Sequence, residues 1–387
     1  MPTSLTRGGR EKSRAACKGR DSAPAAGRHT LSEILSQPAV WRETSKQLEQ
    51  QRALEQLVKI FFPRSPWLFI ACGSSYYLSQ IVATQWTREL QARCTAVPAS
   101  EFLFAPGETI RRAGAQHVVL ISRSGETTEV LRAAKLLEAD RSILTLGVTC
   151  NADSALEKLC GRTLKLPWAD EQSTVMTRSF TSMLIALERL GAKFAGNREL
   201  TAALDTLPEK VQPWLEANAD KIQSFGGKRQ FADFIFLGQG AHYWLAQEAG
   251  LKVTEMSSSY AQAYHTLEFR HGPRSIAGRD TLITFLISEA AEAEETQLVS
   301  EMKKLGAGTF VITNRATEAL RRASDLLVEL RMDEPEFARL APLAIPAQLL
   351  GAAAGLRKGL DPDTPKNLSR VVTLGQDGDG PVKRRIV

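Results

Sequence analysis

Short, fully apolar runs that end in Gly/Ser loops, each followed by a longer stretch with an apolar residue every three or four positions, dominate the chain from Trp67 to Leu166. That rhythm predicts parallel β-α-β units, whose strands are covered on both faces and so read as continuous apolar runs. The predicted strands are 67–71, 117–121, 142–148 and 163–166, and all but the last lead through a loop into a helical pattern. The series returns as 234–237, 282–287, 309–312 and 326–330. Gly73 and Gly238 stand 165 residues apart and Val119 and Phe285 166 apart, so spacing as well as order is reproduced. Two copies of one α/β domain, joined near residues 197–226, are the economical reading.

Ahead of the first copy, Thr30-Leu31-Ser32-Glu33 reads as a capping box, with Thr30 as N-cap and Glu33 three residues on. Pro38 is expected to interrupt the short helix that follows. From Trp41 to Phe61 the apolar positions Leu48, Leu54, Leu57 and Val58 keep helical spacing, and the helix is expected to close before Pro63. The longest charge-free apolar run, 340–356, carries Pro342 and Pro346 near its start and falls just short of a membrane span. It predicts a buried helix of the core or of a subunit contact, and no membrane partner.

With 387 residues, 43% hydrophobic and 24% charged, the chain is globular and large enough for two domains. Its net charge of +6 changes the picture only by its location. The first 30 residues carry Arg7, Arg10, Lys12, Arg14, Lys18, Arg20 and Arg28 against Glu11 and Asp21, and the rest is close to neutral. A folded body without a basic surplus has no electrostatic motive for nucleic acid. The basic stretch lacks an apolar h-region and reads as a tail, a transit peptide or an upstream start codon being the alternatives. Five cysteines without a CxxC pair give neither a zinc site nor a disulfide framework, and a reducing cytoplasm fits.

Ligands of open α/β sheets sit outside the carboxyl ends of the strands. Two such loops are crowded with hydroxyls: Cys72-Gly73-Ser74-Ser75 after 67–71, and Ser122-Arg123-Ser124-Gly125-Glu126-Thr127-Thr128 after 117–121. Neither holds a lysine or a P-loop or dinucleotide glycine pattern, so a nucleotide is not indicated. The hydroxyls either cap helices, their commonest use, or, with backbone N–H groups and the helix dipole, hold a small monophosphate. Their recurrence at consecutive strand ends favours the phosphate. In the second copy, Glu248, Lys252 and Glu255 share one helix face. By spacing alone the row reads first as a solvated salt-bridge ladder, and second as a carboxylate base with a cationic neighbour, near His271 on a Gly-Pro loop.

In combination, Cys72-Gly-Ser-Ser75, Ser122-Arg-Ser-Gly-Glu-Thr127, the Glu248/Lys252/Glu255 helix and Phe269-Arg-His-Gly-Pro273 resemble the double-SIS (sugar isomerase) proteins, which include the isomerase half of glucosamine-6-phosphate synthase. Thr30-Leu-Ser-Glu33 with Gln37-Pro-Ala-Val-Trp41, Met176-Thr-Arg-Ser-Phe-Thr181, Phe269-Arg-His-Gly-Pro-Arg-Ser275, and Pro362-Asp-Thr-Pro365 leading to Arg370-Val-Val372 are most similar to the AgaS-like amino-sugar-phosphate isomerase/deaminase branch. The resemblance covers about residues 30–375. It implies two α/β/α domains, here 63–205 and 222–375, between a tail over 1–29 with helices over 30–62 and a second tail over 376–387. It implies a homodimer with sites at the interface and a 6-phosphosugar held by Ser74, Ser75, Ser122, Arg123, Ser124, Thr127, Thr177 and Arg370. Glu255 takes the place of the base that moves a proton between C1 and C2, Glu248 and Lys252 of its supporting pair, and His271 of the ring-opening group from the neighbouring subunit. No cofactor or metal is expected, since ring opening and proton transfer through a cis-enediol are acid–base steps.

Two positions depart from the synthase pattern. Arg370 stands where that branch has an imine-forming lysine, and an arginine stays protonated. Met176 stands where it has a serine. With no glutaminase segment ahead of the first copy, the implied reaction is conversion of galactosamine- or glucosamine-6-phosphate to a ketose 6-phosphate with release of ammonia. The alternatives are isomerisation without deamination, including fructosamine-type substrates, and a phosphosugar-binding regulator without turnover.

Overall fold

The computed structural model describes residues 25–374 apart from Arg229. The chain runs α1 (Arg28–Leu35), α2 (Gln37–Gln50), α3 (Ala53–Val58), β1 (Trp67–Ala71), α4 (Ser74–Leu90), β2 (Cys94–Pro98), α5 (Ala99–Phe104), α6 (Pro106–Ala113), β3 (His117–Ile121), α7 (Thr128–Glu138), β4 (Leu144–Thr149), α8 (Ala155–Leu159), β5 (Arg162–Lys165), α9 (Arg178–Ala195) and α10 (Arg198–Lys228). It continues β6 (Asp233–Gly238), α11 (Ala241–Ser257), β7 (Tyr260–His265), β8 (Thr281–Leu286), α12 (Glu292–Lys304), β9 (Gly308–Thr313), α13 (Glu318–Ala323), β10 (Leu326–Glu329) and α14 (Leu340–Arg357).

Two parallel five-stranded sheets result, in the orders β2-β1-β3-β4-β5 and β10-β9-β8-β6-β7. The α/β class and the doubled domain are as the apolar rhythm predicts. The repeat's glycine is Gly240 rather than Gly238: Gly73 (φ 54°, ψ −131°) and Gly240 (φ 55°, ψ −126°) adopt the same backbone ahead of α4 and α11. Two of the four edge strands, β2 and β7, escaped the pattern, because neither buries any residue fully and they read as mixed sequence, Cys-Thr-Ala-Val-Pro and Tyr-Ala-Gln-Ala-Tyr-His.

The stretch 197–226 is no linker but most of α10, 31 residues long, which holds Pro208 and Pro213 internally and buries Leu204, Leu207, Val211, Leu215 and Ile222. α14, the long apolar run, is buried along its whole length, packed on α11 and α10. It is a core helix, although by length and composition alone it could cross a membrane.

The N-terminal expectations need two corrections. Gly27, not Thr30, is the N-cap of α1, with no side-chain cap. Thr30 sits inside the helix and gives its N–H (2.7 Å) and its hydroxyl (2.7 Å) to Asp363, while Glu33 accepts from the N–H groups of Gln172 (2.5 Å) and Ser173 (3.3 Å). A capping pattern and a long-range clasp use the same residue types, and here the clasp wins. The short first helix ends at Leu35, ahead of Pro38 as expected, and Pro38 opens α2 in its first turn, where a missing N–H costs nothing; the helix expected from Trp41 to Phe61 is instead divided at Arg52, at φ 51°. Of the tail expected over 1–29, residues 1–24 lie outside the described residues. Gly27 and His29 donate to Asp361 (2.8 Å) and Asp363 (3.0 Å), so the body begins before residue 30. The tail expected over 376–387 also lies outside the described residues.

Asp363 therefore fastens α1 to the far end of the sequence. Asp363→Ala is expected to lower the unfolding free energy by about 1–3 kcal/mol, since it strands buried donors of Thr30, and thermal unfolding by circular dichroism reads the loss.

Candidate active site

Both hydroxyl loops stand at the carboxyl edge of the first sheet, where β1 and β3 end side by side. In the first, Gly73 turns the chain into α4 and Ser74 and Ser75 are buried in its first turn. Ser75 Oγ lies 4.0 Å from Met176 Sδ. In the second, Ser122 Oγ accepts the Gly125 N–H (3.1 Å) and meets the hydroxyls of Thr127 (2.9 Å) and Ser124 (3.4 Å), while Ser124 Oγ accepts the Glu126 N–H (3.1 Å). Gly125 has φ +67°, and a Cβ there would fall 2.4 Å from Ser154. The loop thus gathers three hydroxyls before the N-terminus of α7, an arrangement that suits a phosphate dianion.

Arg123 lies behind this loop. Its guanidinium, 6% exposed, donates to Glu171 (3.2 Å), to the Thr174 carbonyl (3.0 Å) and to the Arg370 carbonyl (2.9 Å). The hub is Glu171, a residue no sequence pattern marked. It also accepts from the Thr177 N–H (2.6 Å) and hydroxyl (2.9 Å) and from Ser179. Arg370 pairs with Asp170 at 2.5 Å, and the segment after it crosses the start of α7 through Thr128 N–H to the Val372 carbonyl (3.3 Å) and Leu374 N–H to Thr128 Oγ1 (3.1 Å). Arg123 and Thr177, expected to touch the sugar phosphate, thus fix the frame of the 122–128 loop and the C-terminal strap rather than presenting free donors.

The row on α11 is not a solvated ladder. Glu248 and Lys252 are each 1% exposed, and Glu255 keeps a partly exposed side chain. Lys252 Nζ lies 3.3 Å from Glu248, 2.5 Å from Glu255 and 3.0 Å from Ser74 Oγ. That last bond joins a helix of the second domain to the 72–75 loop of the first. Burial pushes the Glu248 carboxyl up to about 7, opposed by Lys252 and reinforced by Glu255. Burial alone would lower the Lys252 ammonium, but the two carboxylates outweigh it and its pKa rises, so the charge persists in the core. Tyr77 on α4, missed from sequence, also feels Glu248, and burial followed by that charge raises its pKa. The cluster combines a buried cation, an acid near neutrality and an accessible carboxylate, a set able to shuttle a proton and offset developing negative charge.

His271 is not brought to this cluster within one chain. Phe269, two residues before it, packs with Ile235, Leu237, Leu298 and Met302, whereas α11 packs on the opposite face with Phe234 and Phe236. Arg270 is tied to Glu301 on α12 at 3.1 Å. The second sheet therefore stands between His271, exposed on its loop, and Glu255.

The SIS domain family model matches residues 63–192 and 232–352. The chain belongs to the SIS domain family. Among solved structures, this double-SIS chain is similar to glucosamine-6-phosphate deaminase from Thermotoga maritima (TM-score 0.75, 29% identity, covering 89% of this chain and 100% of that one). Its fold is also that of tagatose-6-phosphate ketose/aldose isomerase from Escherichia coli (TM-score 0.76, 21% identity, 89% and 96% covered). A curated relative, the isomerizing glutamine–fructose-6-phosphate aminotransferase of Methanothermobacter thermautotrophicus, is 28% identical over 348 residues, 89% of this chain and 57% of the relative. The chain spans a little over half the length of the curated relatives it matches.

Lys252→Met leaves two carboxylates facing the core without their cation and is expected to cost about 3–5 kcal/mol. Without Lys252 the Glu248 pKa rises further above its unfolded value. A carboxyl raised in the folded state weakens folding above that value and not below the unfolded one, so the deficit should be larger at about pH 8 than at about pH 5. Urea unfolding at the two pH values measures it.

Proposed function

We propose that this SIS chain is a sugar-phosphate isomerase/deaminase of the AgaS-like kind, which converts galactosamine- or glucosamine-6-phosphate to the ketose 6-phosphate and releases ammonia. The observation that carries the reading is the Lys252 ammonium held between Glu248, Glu255 and Ser74, which couples a carboxylate of graded exposure to the loop beside the phosphate site. Similarity to the Thermotoga maritima deaminase at 29% identity, over the whole of that chain, supports it.

In this reading Ser75, Ser122, Ser124 and Thr127, with the N–H groups at the start of α7, take the 6-phosphate. His271 of a neighbouring subunit opens the sugar ring, which accounts for its place across the sheet from Glu255 in its own chain. Glu255 then removes the C2 proton of the open-chain aldehyde and returns a proton to C1. An enolamine is the intermediate, and Lys252 offsets negative charge developing at the oxygen on C1. The C2 carbon is left as an imine, which water hydrolyses to the ketone with loss of ammonia. Arg370, paired with Asp170, secures the strap over the loop and forms no imine.

Incubation of the protein with each amino sugar phosphate, followed by an enzymatic ammonia assay, is expected to give equal amounts of ammonia and ketose 6-phosphate. Ketose without ammonia from a neutral aldose 6-phosphate would make it an isomerase only, and binding without either product a regulator. Glu255→Gln keeps shape but cannot accept a proton, so kcat should fall by ~10²–10⁴ with KM little changed. Mixed dimers of inactive Glu255→Gln and His271→Asn subunits should regain part of the activity. Heterodimers that form and stay inactive would remove His271 from a shared site.

A further inference from the structure

The connection from β7 to β8 carries His271 and is held from behind by α12. At its start Thr266 gives its N–H to the Gly238 carbonyl (3.2 Å) and its hydroxyl to the buried Glu295 of α12 (2.6 Å). Phe269, fully buried, packs among Leu298, Val299 and Met302 of the same helix. Arg270 then lays its guanidinium on Glu301, with Nε 3.3 Å from one carboxylate oxygen and Nη2 3.1 Å from the other, a fork that fixes direction as well as distance. Arg274 comes to the same carboxylate at 3.9 Å. The hydrogen bonds from Arg270 hold the Glu301 carboxyl below its usual range, so the grip is ionic at neutral pH. One acid of α12 thus holds an arginine on either side of His271.

Between the two arginines the backbone has little freedom. The His271 N–H donates to the Glu268 carbonyl (2.9 Å), closing a short 3₁₀ turn over Glu268–Arg270. Gly272 takes φ 119° and ψ −57°, a conformation that residues with a side chain rarely adopt, and the ring of Pro273 fixes the next φ. The imidazole of His271, by contrast, is exposed and has no hydrogen bond, ion pair or ring contact among the described residues. The first copy joins its corresponding strands, β2 and β3, through α5 and α6, so the architecture does not demand such a loop. A held backbone that presents an unengaged side chain suits a group acting outside its own chain, because a mobile loop would have to be ordered anew at each encounter.

We propose that Glu301 is a positioning residue for opening of the sugar ring: through its fork with Arg270 and its contact with Arg274 it fixes the direction in which His271 is presented to the neighbouring subunit's site. The inference rests on the ring-opening role given to His271 above. In that step the imidazole takes the proton of the anomeric hydroxyl as the bond between the anomeric carbon and the ring oxygen breaks, and the ring oxygen receives a proton in return. The open chain is an isomer of the ring, so nothing else is consumed. A misdirected imidazole slows this step and leaves proton transfer by Glu255 untouched.

Two sugars separate the steps: fructose 6-phosphate, and 5-deoxyfructose 6-phosphate, which lacks the hydroxyl that closes the ring and stays open. Exchange of a C1 proton in deuterated water, followed by proton NMR on the full chain, is expected for both. Glu301→Gln should lower kcat for exchange of fructose 6-phosphate about tenfold with KM little changed, and leave exchange of the 5-deoxy sugar at the parent rate. Glu301→Asp, which keeps the charge, should recover part of the loss, and in a His271→Asn background Glu301→Gln should slow exchange no further. If Glu301→Gln does not fold, Arg270→Lys, which keeps a charge but loses the fork, is expected to give the same pattern. An equal loss with both sugars, no loss with either, or a further loss in the His271→Asn background would overturn the inference and leave the proton-transfer reading standing. A parent protein that exchanges neither sugar would contradict that reading, and the inference would fall with it.

Discussion

A charged lysine held out of water sets the terms for the rest of this molecule. Removing an ammonium from water costs several kcal/mol even after relaxation, and the cost is met only if carboxylates and hydrogen-bond acceptors are fixed around it. Lys252 has Glu248 and Glu255 on its own helix and Ser74 on the other domain. The two sheets cannot separate or slide without stranding that charge. α14 seals the arrangement from behind, and the Gly351 and Gly355 positions on it lie so near Lys252 and Met256 of α11 that a side chain would clash with the α11 backbone or side chains. The same constraint that fastens the domains holds Glu255, the carboxylate we propose for proton transfer, so stability and the proposed chemistry draw on one set of contacts.

Duplication explains why the cluster is one-sided. By the glycine equivalence of Gly73 and Gly240, Lys252 on α11 corresponds to Gln85 on α4, which is fully buried with both amide atoms lacking partners among the described residues. A neutral amide there requires no carboxylates, and Ile81 and Arg88 stand where α11 has Glu248 and Glu255. α11 thus carries a buried charge with two carboxylates, and the corresponding positions of α4 carry neither.

The sequence made the core strands legible because each is buried on both faces and is therefore apolar throughout. Of the four edge strands, β2 and β7 were not, since strands that bury no residue fully carry mixed residues. The two Ser/Thr loops were legible through strand-end position and hydroxyl content. The burial of Glu248 and Lys252 was not: a Glu-Lys-Glu row reads as surface until α4 and α14 are packed over it, and only tertiary contacts supply those. Thr30 and Glu33 show the same limit, being a sound capping pair by spacing that long-range partners Asp363 and Ser173 claim instead. Glu171 left no sequence signal, because its importance comes from the convergence of Arg123, Thr177 and Ser179 around it.

The central claim is that the Lys252-held carboxylate on α11 moves a proton on a phosphosugar seated at the first sheet. Proton NMR of fructose 6-phosphate incubated with the protein in deuterated water tests it most directly, because exchange at C1 reports proton abstraction without requiring net turnover. The account predicts loss of one C1 proton signal at a rate set by the protein concentration, with Glu255→Gln slowing it by orders of magnitude. Phosphosugar binding seen by phosphorus NMR with no exchange at C1, or exchange unaffected by Glu255→Gln, would contradict it.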